Sequence, residues 1–225
     1  MVADPVAVLF DVDGTLVDSN YLHARAWHRA LREAGAVVPT WRIHRAIGMD
    51  GGTLLETLAP DLDDAARDHA DELHSRYYQD SAGELTLLPG AREILADLHA
   101  RGLRVLLATS APPPELALLR ELLDSESVLY AVTGGEDVEQ AKPDPAIVRV
   151  ALDRAGVPPR RAVFIGDTVW DARACAAVDV PAVGVLSGGI SRAELAAEGA
   201  EFVCDDVAHL LREIDASPVA RLLRN

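Results

Sequence analysis

The chain has 225 residues, 49% of them hydrophobic, and a formal net charge of −15. Its length and composition fit one large domain, or a domain with a small insert, with enough apolar residues for a core. The negative charge argues against binding to nucleic acid or an anionic membrane surface, which need a cationic face, and no apolar run approaches the roughly 18–20 residues of a membrane span.

The first predicted strand covers residues 6–10 and ends at a pair of carboxylates. The stretch VAVLFDVDGT places Asp11 and Asp13 directly after the strand, with Gly14 behind them to let the chain turn away. Residues i and i+2 at a strand end point the same way, so both carboxylates converge on one crevice. Carboxylates this close repel each other and lose hydration, which raises a pKa unless a cation lies between them. The pair therefore predicts either a metal site or a hydrated acidic turn.

The segment after this strand is predicted to be helical throughout. No strand pattern occurs between residue 10 and residue 104, and residues 19–87 carry the helical spacing of apolar residues. The predicted helices are residues 20–34, 41–47, 53–58 and 65–80. We expect a helical insert over the C-terminal edge of the sheet, where open α/β sheets bind ligands. The predicted domains are a core of residues 1–17 and 88–225 and a helical cap of residues 18–87.

From residue 88 onward, predicted strands alternate with predicted helices. The strands are residues 104–108, 128–133, 162–166, 182–186 and 201–204, and the helices between them include residues 91–100, 114–123 and 145–155. Such alternation indicates βαβ units and a parallel sheet with helices on both faces. The predicted fold is therefore α/β, a doubly wound Rossmann-like parallel sheet with an inserted helical cap domain. The residues after 214 are expected to fray.

Four short motifs at predicted strand ends resemble, in order, those of the haloacid dehalogenase superfamily, most of whose members are Mg²⁺-dependent phosphohydrolases. VLFDVDGT matches the hhhhDxDGT signature, VLLATSA ends a strand on Thr109, AKPDP supplies Lys142, and VFIGDTVWDA supplies Asp167 and Asp171. Each motif alone is a weak signal, but four in the right order make coincidence improbable. One departure is Asp179, where the family has glycine, and aspartate tolerates the left-handed conformation expected there.

The resemblance implies a role for each matched residue. Asp11 is the expected nucleophile, and Asp13 is the expected general acid and base. The expected phosphate-binding groups are the Thr109 hydroxyl, the Ser110 amide and the Lys142 ammonium. The expected ligands of Mg²⁺ are the Asp11 side chain, the Asp13 carbonyl and Asp167, with Asp171 holding a metal-bound water.

The predicted insert resembles the small cap of the phosphoglycolate phosphatase and β-phosphoglucomutase branches. His23 lies where the mutase has a histidine near its acid/base aspartate, or else it is an ordinary helix-face residue. The glycine-rich connection at Gly48, Gly51 and Gly52 is a candidate to face the site. The mutase has an arginine-bearing loop there, and it has Glu-Asp where this chain has Gly-Asp at residues 166–167. Both departures favour hydrolysis over mutase chemistry.

The sequence thus predicts a Mg²⁺-dependent phosphatase that hydrolyses a small phosphomonoester, such as a sugar phosphate or a phosphoglycolate-like acid, through an aspartyl-phosphate intermediate. The alternatives are a phosphohexomutase of the β-phosphoglucomutase type and a phospho-accepting signalling receiver. The expected partner is a small phosphorylated metabolite, and the chain is expected to be a monomer or a homodimer. Cys175 and Cys204 are expected to be reduced thiols of a cytoplasmic protein.

Overall fold

A computed structural model describes residues 4–138 and 142–224 of the chain. Its strands, in chain order, are β1 (Ala7–Phe10), β2 (Val17–Asp18), β3 (Thr86–Leu87), β4 (Arg104–Ala108), β5 (Ala131–Thr133), β6 (Ala162–Gly166), β7 (Ala182–Val185) and β8 (Ala200–Cys204). Its helices are α1 (Asn20–Glu33), α2 (Thr40–Ala46), α3 (Gly51–Leu58), α4 (Asp64–Asp80), α5 (Ala91–Ala100), α6 (Pro113–Leu123), α7 (Ala146–Ala155), α8 (Val169–Ala176), α9 (Arg192–Ala197), α10 (Val207–Arg212) and α11 (Val219–Leu223).

Six of these strands form one sheet in the order β5-β4-β1-β6-β7-β8, and every neighbouring pair is parallel. The chain starts in the middle at β1, builds outward through β4 and β5, and then crosses to the other side for β6, β7 and β8. This is a doubly wound sheet, so the predicted fold class is confirmed. Its strand order reverses beside β1, and ligands of open α/β sheets bind at such a switch point.

Both faces of the sheet are covered by helices. Along β1, Val8 and Phe10 belong to one buried cluster together with side chains of α5 and α10, whereas Ala7 and Leu9 belong to a second cluster with α7 and α8. The strand is therefore apolar without alternation, as expected for a parallel strand buried on both sides. This central position fixes the backbone from which the first carboxylates project.

The helices α1 to α4 are inserted between β1 and β4, and α1 packs against α4. Where the chain leaves and re-enters the sheet domain, β2 and β3 form a two-stranded antiparallel pair, with Val17 opposite Leu87. The sequence did not predict this pair, because two-residue strands are too short to show a period. The division of the chain at residues 17/18 and 87/88 stays a prediction.

The C-terminal segment differs from its prediction. The residues after Ile214 do not fray, because they form α11, in which Val219 and Leu222 are buried. Asp179 adopts the predicted left-handed conformation, with φ of 56°. Both cysteines are free and buried. None of the helices in the described part of the chain has the length and hydropathy needed to cross a membrane.

Candidate active site

The loop after the central strand β1 carries the first carboxylate. The Asp11 amide donates to the Ile165 carbonyl at 2.9 Å, so the chain still pairs alongside β6 at this residue. Gly14 then turns the chain with φ of 70°, and its amide donates to the Val17 carbonyl at 2.8 Å. A Cβ atom at Gly14 would lie 2.4 Å from Oδ2 of Asp167. Glycine is therefore required where this loop passes the carboxylate that follows β6.

Lys142 is the only lysine of the sequence, and it is buried between two carboxylates. Its Nζ lies 2.9 Å from Oδ1 of Asp11 and 2.7 Å from Oδ1 of Asp171. Burial lowers the pKa of Lys142, but the two carboxylates raise it further, so the ammonium stays charged. Burial raises the pKa of Asp11 to about 7, while Lys142 opposes the rise and Asp171 adds to it. The lysine holds Asp11 in place and supplies one fixed positive charge beside it.

The carboxylates that follow β6 are held by hydroxyl and amide donors. Asp167 accepts hydrogen bonds from Oγ1 of Thr15 at 3.0 Å and from Nδ2 of Asn20 at 2.8 Å. Asp171, in the first turn of α8, accepts from the amide and the hydroxyl of Thr168 at 3.0 and 2.6 Å. Burial and then the neighbouring carboxylates raise the pKa of Asp167 well above its usual range. These donors fix the direction of both side chains.

Three of these carboxylates form a group that fits a divalent cation. Oxygen atoms of Asp11, Asp167 and Asp171 all lie within 4.8 Å of one another, and all three residues are buried. When all three are ionised they carry three negative charges, and Lys142 supplies only one positive charge beside them. Nearby, Oδ1 of Asn20 is buried with no hydrogen-bond partner among the described residues. Hard oxygen ligands and this charge deficit are what Mg²⁺ and similar ions require.

The second carboxylate of the DxD pair is held from the inserted helices. Oδ1 of Asp13 accepts from Oγ of Ser19 at 2.5 Å and lies 3.3 Å from Nε2 of His23 and 3.4 Å from the Tyr78 hydroxyl. Burial raises the pKa of Asp13, but the hydrogen bond and charge of His23 and the bond from Ser19 lower it below its usual value. Burial lowers the pKa of His23 and Asp13 raises it, with a net rise. The partly buried Asp13 carboxylate and the buried His23 imidazole thus favour each other's charged form.

A row of side chains continues from this pair to the core helix α6. Nδ1 of His23 lies 3.1 Å from Nε2 of His74, whose ring stacks on Trp27 with centroids 4.0 Å apart. Nδ1 of His74 lies 3.9 Å from Oε1 of Glu115, which is too long for a hydrogen bond. Burial and the charge of His23 put the pKa of His74 well below its usual value, so this imidazole is neutral. The row joins α1 and α4 of the insert to the sheet domain.

The end of β4 provides the groups predicted to bind phosphate. Thr109 is buried, and its Oγ1 accepts from the Ala111 amide at 3.1 Å. Oγ of Ser110 is buried and has no partner among the described residues. A buried hydroxyl without a partner is costly, so it is suited to a polar ligand that completes it.

The loop of residues 186–191, between β7 and α9, lies against Asp167. A Cβ atom at Gly188 would be 1.7 Å from Oδ2 of Asp167. The Gly188 carbonyl lies 2.9 Å from Nε2 of His44 on α2, and Oγ of Ser187 donates to the Gly14 carbonyl at 2.6 Å. The loop thus closes one side of the carboxylate group and contacts the insert.

These residues surround a cavity of about 540 Å³ between the sheet edge and the inserted helices. The predicted site residues that line it are Asp11, Asp13, His23, Gly48, Gly51, Gly52, Thr109, Ser110 and Lys142. The remaining two, Asp167 and Asp171, join Asp11 in the carboxylate group. The structure therefore brings all the predicted residues to one place, while the roles assigned to them stay predictions.

Sequence reasoning missed several polar residues of the site. They are Thr15, Ser19, Asn20, His74, Tyr78 and Glu115. One signal was available, because His23 and Trp27 on α1, and His74 and Tyr78 on α4, are spaced i, i+4 and so share a helix face. Two polar-aromatic pairs on helices that pack together indicate a buried polar cluster.

Comparison with known proteins identifies relatives over most of the chain. A profile of haloacid dehalogenase-like hydrolases matches residues 6–179. A phosphoglycolate phosphatase of Rhodospirillum rubrum is 35% identical over 216 residues, which is 92% of this chain and 89% of that protein.

Solved structures share the fold. A hydrolase from Pseudomonas syringae superposes with a TM-score of 0.90 at 33% identity, covering 94% of this chain and 98% of its own. A β-phosphoglucomutase from Clostridium difficile superposes with a TM-score of 0.84 at 19% identity, covering 99% and 100%. The second similarity shows a shared fold alone.

Proposed function

This chain belongs to the haloacid dehalogenase-like hydrolase family, and we propose that it is a Mg²⁺-dependent phosphatase that hydrolyses a small phosphomonoester. One observation carries the proposal. Asp11, Asp13 and Lys142 line a single cavity, and the carboxylate group of Asp11, Asp167 and Asp171 lies at its edge. Phosphate-ester hydrolysis needs a nucleophile, a proton donor and fixed positive charge at one point.

Asp11 is the proposed nucleophile. One of its carboxylate oxygens bonds to phosphorus while the bond from phosphorus to the ester oxygen breaks, which gives an aspartyl-phosphate and an alcohol. Asp13 donates the proton that the departing oxygen takes up. Asp13 then accepts a proton from the water that attacks phosphorus, and the phosphate leaves with Asp11 restored.

The Asp13–His23 pair supplies the proton for the first step. Before substrate binds, the raised pKa of His23 and the lowered pKa of Asp13 leave the proton on the imidazole. A phosphate dianion in the cavity raises the pKa of the Asp13 carboxyl by repulsion and so favours transfer of that proton to Asp13. The hydroxyls of Ser19 and Tyr78 hold the carboxylate oriented meanwhile.

The Asp11 side chain, the Asp13 carbonyl and Asp167 would hold the metal ion, with Asp171 holding a metal-bound water. The ion would offset the negative charge of the carboxylates and of the phosphoryl group. Lys142 contributes the positive charge that belongs to the chain itself. The Thr109 hydroxyl and the Ser110 amide are the proposed donors to the phosphoryl oxygens. The buried Ser110 hydroxyl, which lacks a partner among the described residues, is a further candidate donor.

Two features weigh against the alternatives. A mutase must hold a second phosphate, but Lys142 is the only lysine or arginine among the described residues that line the cavity. A receiver domain lacks a pair equivalent to Asp13 and His23, which here would activate the water that hydrolyses the aspartyl-phosphate. Hydrolysis therefore fits the site better than either.

Phosphate release from a panel of phosphomonoesters, measured with Mg²⁺ at neutral pH, tests the proposal. We expect multiple turnovers on at least one small alkyl phosphate and on an aryl phosphate. A phosphorylated protein that is stable for hours, with no turnover on any ester, would instead support a receiver. Conversion of one sugar phosphate isomer to another, with little release, would support a mutase.

A further inference from the structure

The described residues that line the cavity carry much more negative than positive charge. Besides Asp11 and Asp13, the acidic lining residues are Asp50, Asp71, Glu115 and Glu136, and the only lysine or arginine among the described lining residues is Lys142. Lys142 is already engaged by two carboxylates. Both ring nitrogens of His23 are engaged too, one by Asp13 and the other by His74.

No arginine of the inserted helices is among the described residues that line the cavity, and two of these arginines pair with acids elsewhere. Arg25 binds Glu84 at 2.5 Å, and Arg45 binds Glu194 at 2.6 Å. The N-terminus of α3, which could attract an anion, is already capped, because the Asp50 carboxylate accepts from the Thr53 amide at 3.0 Å. The cap side of the cavity, which faces the inserted helices, thus offers a negatively charged leaving group little positive charge.

Glu115 indicates which kind of chemical group on the substrate this part of the cavity favours. The residue is 2% exposed, lines the cavity, and its Oε1 has no hydrogen-bond partner among the described residues. The nearest basic atom in the row described above, Nδ1 of His74, is 3.9 Å away. A buried acceptor without a donor is destabilising, and a ligand that brings an O–H or N–H group removes that penalty.

Asp71 reinforces this preference from α4. Burial and then the charges of Asp50 and Asp68 raise the pKa of Asp71, which means that this side of the cavity already carries repelling negative charge. A carboxylate on the substrate would add to that repulsion, whereas a hydroxyl or an ammonium group would not.

We propose that the leaving group of the substrate carries hydrogen-bond donors and no negative charge, as in the phosphate ester of a polyol or an amino alcohol, and that carboxylate-bearing esters such as phosphoglycolate are discriminated against. This inference rests on the proposed phosphatase function. The Rhodospirillum rubrum relative is named a phosphoglycolate phosphatase, so the inference gives this chain a different substrate preference from the one in that name.

Three two-carbon esters that differ at one group test the inference. They are 2-hydroxyethyl phosphate, 2-aminoethyl phosphate and 2-phosphoglycolate, each measured by kcat/KM and by inhibition of 4-nitrophenyl phosphate hydrolysis. We expect the first two to exceed phosphoglycolate at least about tenfold in kcat/KM, or to inhibit at correspondingly lower concentration. The ratio between the first two distinguishes a neutral from a cationic leaving group.

The variant Asp71→Arg adds a cation to the lining of the cavity from α4, and Asp68→Arg makes the same charge change one turn earlier, outside the lining. We expect Asp71→Arg to raise kcat/KM for phosphoglycolate severalfold and to lower it for the aminoethyl ester, with little change in Asp68→Arg. Preference for phosphoglycolate in the unmodified enzyme, or equal gains in both variants, would overturn the inference. Failure to hydrolyse even the aryl ester would instead contradict the proposed function.

Discussion

The carboxylates on the sheet side of the cavity and those on the cap side, which faces the inserted helices, differ in how far the chain itself satisfies them. On the sheet side, Asp11 pairs with Lys142, and Asp167 accepts from Thr15 and Asn20. On the cap side, Oε1 of Glu115, which α6 of the sheet domain carries, has no donor among the described residues. The carboxylates assigned to the chemistry are thus held in position beforehand, whereas Glu115 is left for the ligand to complete.

The largest expected effect follows from removing the nucleophile on the sheet side. Asp11→Asn keeps the shape of the side chain and removes its charge, so we expect kcat to fall on the order of 10⁴-fold or more. The fold should persist, since the buried Lys142 ammonium keeps its ion pair with Asp171 at 2.7 Å. Steady-state kinetics and circular dichroism measure both effects.

Asp153→Asn is the matched control for this variant, because Asp153 is an exposed residue of α7 that does not line the cavity. Its activity should equal that of the unmodified protein. Near-normal phosphate release by Asp11→Asn would show that the covalent route is wrong.

The next effect concerns the metal. Chelation should abolish activity, Mg²⁺ should restore it, and Ca²⁺ should not, because Ca²⁺ prefers more ligands and a looser geometry that would let Asp11 bind through both oxygens. Asp167→Asn should raise the Mg²⁺ concentration for half-maximal activity by about 100-fold. It should also diminish the rise in Tm that Mg²⁺ produces. Full activity after chelation would contradict the metal assignment.

A smaller effect distinguishes the cap side from the sheet side. His23→Asn removes the proton held beside Asp13, so kcat/KM for an alkyl phosphate should fall about tenfold. Hydrolysis of 4-nitrophenyl phosphate should change less than about threefold, because its good leaving group needs no proton. Parallel kinetics on both esters, with His28→Asn as a control on the same helix, measure the ratio. Equal losses on both esters would mean that His23 takes part in the attack itself.

A separate effect appears in stability and is specific to Glu115. Burial raises the pKa of Glu115 to about 7 from 4.5, so the folded protein binds the proton more tightly than the unfolded chain. Its contribution to stability is therefore present below pH 4.5 and is lost as pH rises through 7. Glu115→Gln removes this pH dependence. As the pH rises from below 4.5 to above 7, the free energy of unfolding of the variant should therefore increase by about 3 kcal/mol relative to that of the unmodified protein.

Denaturant unfolding at several pH values measures this gain, and Glu121→Gln on the exposed side of α6 is the control. A constant difference between Glu115→Gln and the unmodified protein at every pH would mean that Glu115 is not a buried titrating group.

The sequence predicted the sheet side better than the cap side, and the reason is physical. Asp11, Thr109 and Asp167 each follow a buried apolar strand, so their position in the fold follows from local pattern and from the geometry of parallel sheets. Glu115 and His74 lie on helices that meet only through tertiary packing. The i, i+4 spacing of His74 and Tyr78 indicates a polar face on α4, but no local signal indicates that Glu115 meets it. The C-terminal helix α11 was missed likewise, because its burial depends on what it packs against.

Direct detection of the intermediate tests the central claim, that Asp11 carries the phosphoryl group. The protein would be mixed with 4-nitrophenyl phosphate, quenched within one turnover, reduced with borohydride and digested for mass spectrometry. Reduction converts an acyl phosphate to an alcohol, so we expect homoserine at position 11 and unmodified aspartate at position 13. Substrate turnover with an unmodified Asp11, or with the modification at another residue, would contradict it.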